Sequence, residues 1–111
     1  MTDIGKKYLS DISNSITLIE SFTAPISSFQ EYKKDLKTKS AVERHLGIIG
    51  EAVNQFLRAN NSNTLENTSK IISLRNKLIH AYDGIDDAII WTIVKRHISS
   101  LKAEVDALLL N

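Results

Sequence analysis

Apolar residues recur along this chain at intervals of three and four rather than two, the spacing that gathers side chains onto one face of an α-helix. Leu9, Ile12, Ile16 and Ile19 form the first such stripe, on a helix predicted from about Ile4 to Ser21. Pro25 closes that region, because proline lacks a backbone donor and crowds the preceding turn. Ser28 and Glu31 have capping-box spacing, so a short helix carrying Phe29, Tyr32 and Leu36 is predicted to start there. Ser40 and Glu43 repeat the spacing, with Thr38 as an alternative cap. The helix that follows carries Val42, Leu46, Ile49, Val53 and Phe56 and runs to about Leu57. Gly47 and Gly50 lie inside it. Glycine there costs about 1 kcal/mol against alanine, which close packing of another backbone would explain. Residues 59–64 read as a loop. A fourth helix runs to Tyr82 or Asp83, with Gly84 as its C-terminal cap. Asp86 caps the last helix, Ile85 and Ile90 having hydrophobic-staple spacing, and Ile90, Val94, Ile98, Leu101, Val105 and Leu108 carry its stripe almost to Asn111.

These elements predict an all-α fold, a small up-and-down bundle of four to five helices. The long stripe of the last helix admits two explanations. It is ordinary core within one chain, or part of it is covered by a second copy in a homodimer built through helix faces.

Composition narrows the picture. With 111 residues the chain is expected to form one domain, residues 1–111, since two halves would each be too small for a good core. Apolar residues make up 42% and charged residues 24%, ordinary values for a globular chain. The absence of cysteine excludes a disulfide scaffold, a thiol nucleophile and a cysteine metal site. A net charge of +1 means that any nucleic-acid site must be local. No apolar run approaches the ~20 residues of a membrane span, and the first ten residues lack a signal-peptide pattern, so a cytoplasmic location is expected.

Chemistry concentrates in the segment Ser73-Leu74-Arg75-Asn76-Lys77-Leu78-Ile79-His80-Ala81-Tyr82. On a helix, at about 100° per residue, Arg75 falls in the middle of the apolar face, Tyr82 about 20° to one side, and Asn76 and His80 share a shoulder. A guanidinium cannot shed its proton, and burying it alone is costly. Either it pairs with Glu43, Glu51 or Asp83, or the face opens onto a place where an anion binds. Taken singly, His80 suits a hydrogen-bonded structural residue and Tyr82 a core-edge aromatic. Together the four side chains offer a phosphate ligand, an orienting amide, a group titrating near neutral pH and a hydroxyl.

Arg75-x-x-x-x-His80-x-Tyr82 resembles the R-x-x-x-x-H-x-Y motif of the HepT-like branch of the HEPN superfamily. The flanks resemble it too: Ala41-Val42-Glu43-Arg44, Leu46 and Ile48-Ile49-Gly50-Glu51-Ala52 are similar to one family block, and residues 75–86 with Ile90-Trp91 to another. The stretch Asn63-Thr64-Leu65-Glu66-Asn67-Thr68 departs from the proline- and tryptophan-containing lead-in of that family. The resemblance implies an all-helical homodimer acting as a metal-independent endoribonuclease. It implies the toxin of a type II toxin–antitoxin module, whose antitoxin partner is a minimal nucleotidyltransferase that in some cases attaches AMP to the motif tyrosine. Carried over, Arg75 and His80 are the catalytic pair, Asn76 and Tyr82 support the site, and Tyr82 is the AMPylation candidate. No cofactor or metal is implied. RNA cleavage without metal needs a proton carrier and a cation beside the phosphate, and one histidine per chain serves one side of the reaction. A dimer that brings two motif helices together would supply the second.

Two other functions stay open: a non-catalytic helical nucleotide- or RNA-binding subunit of a nucleotidyltransferase, and a purely structural bundle. His45 and His97 are expected at the surface or at caps, without the spacing of a helical zinc pair. Lys33, Lys34, Lys37 and Lys39 are expected to form a solvated face rather than an RNA track, since Glu31 and Asp35 interrupt them.

Overall fold

A computed structural model of the chain describes residues 2–59, 65, 66, 68–80 and 86–110, with the side chains of residues 70, 74 and 77–80 outside the description. Every regular element among the described residues is helical: α1 (Asp3–Thr23), α2 (Phe29–Lys34), α3 (Leu36–Ala59), α4 (Ser69–His80), α5 (Asp87–Arg96) and α6 (Ile98–Leu109). Helix α3 is the centre of the arrangement. It packs against α1 on one side and α4 on another, α6 lies against α1, and α2 joins α3 to α5.

The predicted stripes are the core. Leu9, Ile12, Ile16 and Ile19 of α1 meet Val42, Leu46, Ile49, Val53 and Phe56 of α3, all essentially inaccessible to water. Removing such side chains from water stabilises the fold by about 1.5–3 kcal/mol each.

Local signals set several boundaries. The Thr2 hydroxyl accepts from the Gly5 N–H and starts α1. The Ser28 hydroxyl accepts from the Glu31 N–H at 3.2 Å, as its spacing predicts, but the Glu31 carboxylate reaches back to Ser27, one residue earlier than a capping box requires. The start of α3 differs from expectation. Asp35, not Thr38 or Ser40, is the cap, accepting from the Thr38 N–H at 3.0 Å and from its hydroxyl at 2.8 Å. A carboxylate placed three residues ahead outcompetes the hydroxyls because it accepts both bonds at once. Leu36 consequently begins α3 and is 71% exposed instead of packing with Tyr32. Asp86 caps α5 as expected, accepting from the Ala88 N–H at 2.8 Å. Gly84 and Ile85 lie outside the described residues.

The last helix is two helices, which raises the count among the described residues to six. It breaks at His97, whose φ of −116° departs from helical values. Its two halves have different neighbours: α5 packs on α2 and α6 on α1, and a straight rod cannot present one stripe to both. Tyr32 stacks on Trp91 at 5.1 Å between ring centres, Lys95 lies over the Trp91 ring, and Lys39 pairs with Asp87 at 2.7 Å. These contacts tie α5 to α2 and the start of α3. Ile90, Val94, Ile98, Leu101 and Val105 of this stripe are buried by their own chain, and Leu108 near its end is half-buried.

Candidate active site

The two glycines of α3 behave differently. A Cβ at Gly47 meets no described atom, whereas one at Gly50 would lie 2.3 Å from the Arg75 Cβ, 2.7 Å from its Cγ and 3.4 Å from the Ile71 carbonyl oxygen. Gly50 is therefore the place where α4 comes down onto α3, and the stem of Arg75 occupies the room a side chain would take.

This packing resolves how an arginine sits on an apolar face. Ile71, one turn before it, is buried in the core. The aliphatic stem of Arg75 crosses Gly50, and the guanidinium emerges at the rim with the side chain 22% exposed. There it donates from Nη2 to Glu51 Oε2 and from Nη1 to Asn76 Oδ1 at 3.1 Å. Of the three carboxylates considered as partners, Glu51 is the one observed. Glu43 stands instead near Asp87 and Lys39, and burial, followed by the Asp87 charge, raises its carboxyl above the ordinary range. Asp83 lies outside the described residues.

Glu51 is itself held. Gln55, one turn further along α3, donates from Nε2 to Glu51 Oε1 at 2.9 Å. That hydrogen bond, followed by the charge of Arg75, keeps the Glu51 carboxyl below the ordinary carboxylate value. A depressed folded-state value means that the interaction is present above the ordinary carboxylate range and is lost as pH falls through the depressed one. The only sign of Gln55 in the sequence is its i, i+4 spacing from Glu51.

The Arg75–Glu51 pair is not a device for stability. With Glu51 45% exposed, such a pair contributes at most about 1 kcal/mol. The Arg75 Nε is buried without a hydrogen-bond partner among the described residues. What remains is geometric: a guanidinium fixed in direction at the surface, next to an open groove of about 210 Å³ lined by Tyr8 and Asp11 of α1 and Ile48, Glu51, Ala52 and Gln55 of α3.

Helix α4 carries Arg75, Asn76 and His80 on one continuous element, with His80 its last residue. Arg75 and Asn76 are brought into direct contact. The side chain of His80 lies outside the described residues, as does Tyr82. The other two histidines are elsewhere. His45 is half-buried rather than at a cap: its Nδ1 is 3.1 Å from the Ser15 hydroxyl and its ring meets Phe22, because its position on α3 faces α1. His97 occupies the junction of α5 and α6 without a side-chain capping bond. Among the described residues no group of three or more metal-ligating side chains converges. The lysine run is broken up in space as well as in sequence, since Lys39 is engaged by Asp87 while Lys33, Lys34 and Lys37 stay exposed.

The family model described as ribonuclease HepT-like matches residues 12–108. A protein of Thermococcus cleftensis, named a probable ribonuclease HepT, is 42% identical over 107 residues, which cover 93% of this chain and 94% of that protein. A protein of Methanocaldococcus jannaschii, provisionally named an RNase, is 35% identical over 91% of this chain and 93% of its own length. Another provisionally named RNase, from Caldanaerobacter subterraneus subsp. tengcongensis, is 34% identical over 74% of each chain. No solved structure matches at a significant level.

Proposed function

Because the chain belongs to the ribonuclease HepT-like family, we propose that it is an endoribonuclease that cuts RNA without a metal ion, with Arg75 and His80 as its catalytic residues. The observation that carries this is the seat of Arg75, a surface guanidinium held in direction and located five residues before His80 on one helix. In the reaction, the 2′-hydroxyl gives its proton to a neutral imidazole and its oxygen attacks the adjacent phosphorus. The bond from phosphorus to the 5′-oxygen breaks, and that oxygen takes a proton from an imidazolium, leaving a 2′,3′-cyclic phosphate and a free 5′-hydroxyl. Arg75 offsets the charge that accumulates on the phosphoryl oxygens. The base and the acid are two groups, and a homodimer that faces two copies of His80 across one cleft supplies both. Asn76 shares the guanidinium of Arg75 and helps to aim it.

The experiment that tests this is cleavage of RNA by the purified protein in excess chelator. Cleavage is expected to persist. Loss in chelator, restored by a divalent cation, would replace this mechanism with a metal-assisted one.

The resemblance of the Arg75-to-Tyr82 motif supports the wider setting. The protein acts on RNA in the cytoplasm as the toxin of a type II module, and its antitoxin is a minimal nucleotidyltransferase. Among the described residues no helix is long and apolar enough to cross a membrane. Tyr82 is the residue that the antitoxin AMPylates. It stands seven residues after Arg75 in the sequence, and an added phosphate is proposed to compete with RNA for the guanidinium. Co-expression with a cognate minimal nucleotidyltransferase is expected to add the mass of AMP to the wild type and not to Tyr82→Phe. An AMP-sized increase in Tyr82→Phe assigns the modification to another residue.

A further inference from the structure

The geometry points to Glu51, braced by Gln55, as the residue that positions the Arg75 guanidinium for the scissile phosphate; this rests on the assignment of Arg75 to RNA cleavage. Arginine carries five N–H donors in a planar fork. In this structure Nε is buried. One donor on Nη2 goes to Glu51 and one on Nη1 to Asn76, which leaves one N–H on each terminal nitrogen among the described contacts. Those two are the donors that this reading assigns to a phosphate.

The orientation is set from α3, not from α4 alone. Gly50 admits the stem and Glu51, the next residue, takes the head, so consecutive positions of one helix fix both ends of the side chain. The Gln55 amide fixes the other carboxylate oxygen, so Glu51 cannot swing away without breaking two bonds. Its own charge opposes a phosphate. Glu51 therefore works against substrate binding and in favour of alignment, two effects that kinetics separates.

Glu51→Ala is expected to lower kcat by about tenfold to a hundredfold, the cost of misplacing a catalytic group by roughly 1 Å, with KM unchanged or lower. Glu51→Gln keeps an acceptor for Nη2 and should retain more of kcat than Glu51→Ala. Gln55→Ala should shift kcat in the same direction by less. The seat also has a readout that needs no cleavage. The chain has four arginines, Arg44, Arg58, Arg75 and Arg96, so the resonance of the Arg75 Nη2 proton that Glu51 accepts can be assigned with Arg75→Lys. Its proton exchange should be slow in the wild type and faster in Glu51→Ala. An unchanged kcat overturns the proposal. So does a rise in KM with kcat intact, which would place Glu51 in contact with RNA instead. If Glu51→Ala fails to fold, Gln55→Ala decides between these outcomes. If the wild type cuts no RNA, the RNase assignment fails, and the exchange rate alone decides whether Glu51 holds the guanidinium.

Discussion

Replacing His80 with alanine is expected to slow RNA cleavage by about 10²–10⁴-fold, the usual contribution of a positioned proton carrier, with the helical CD spectrum unchanged. The backbone of α4 is helical through His80, and alanine is the best helix former, so the substitution leaves no local reason for unfolding. Arg75→Ala should remove cleavage to a similar extent, and for a different reason: no cation then meets the charge on the phosphoryl oxygens. Arg75→Lys is the sharper probe. Lysine keeps the charge but loses the planar fork that reaches Glu51 and Asn76 together, so cleavage should stay far below that of the wild type. Initial rates on one RNA substrate, compared across the three variants, decide the matter. A loss of less than about tenfold in His80→Ala would exclude His80 as a carrier of the proton.

The second large effect is expected at Gly50, a residue with no chemistry of its own. A methyl group there would lie 2.3 Å from the Arg75 Cβ, whereas nonbonded carbons rest about 3.5–4.0 Å apart. Cβ is fixed to the backbone, so no rotamer change relieves the clash, and α4 must move away by more than about 1 Å. Overpacking of this kind costs about 1–3 kcal/mol, and replacing a helical glycine returns about 1 kcal/mol. Gly50→Ala should therefore be only modestly less stable than the wild type. Activity should suffer more, since a displacement of about 1 Å at a catalytic side chain costs about a hundredfold. Thermal unfolding and cleavage rates measured on the same sample separate the two. Arg75→Ala does not relieve the strain, because the Cβ that clashes remains. If Gly50→Ala cleaves RNA at the wild-type rate, then Arg75 does not depend on the approach of α4 to α3.

The sequence carried the helices and their buried faces because both are local properties. The three-and-four spacing of Leu9 to Ile19 and of Val42 to Phe56 says which side of a helix must leave water, whatever covers it. It also carried the anomaly at Arg75, since a charged group centred on an apolar stripe is visible without coordinates. Caps were less legible where several acceptors competed: Ser28 and Asp86 act as their spacing predicts, but Asp35 takes the start of α3 from Thr38 and Ser40. The stripe of the last helix reads as continuous, and its break at His97 is invisible in the pattern because both halves keep the same period. The break follows from two different neighbours, α2 and α1.

What the amino-acid order by itself determined, then, is an all-helical chain with one unusual cation, a histidine five residues after it, and glycines in α3 that ask for a close neighbour. Only the tertiary structure decided which glycine has that neighbour and that Glu51, rather than Glu43, meets the arginine. Both choices depend on how α4 lies against α3, residues 71–75 over residues 50–51, and helical periodicity says nothing about the register of one helix on another. That register turns Gly50, Glu51 and Gln55 into a seat for Arg75, and it places a guanidinium at the surface where the apolar stripe alone would have buried it.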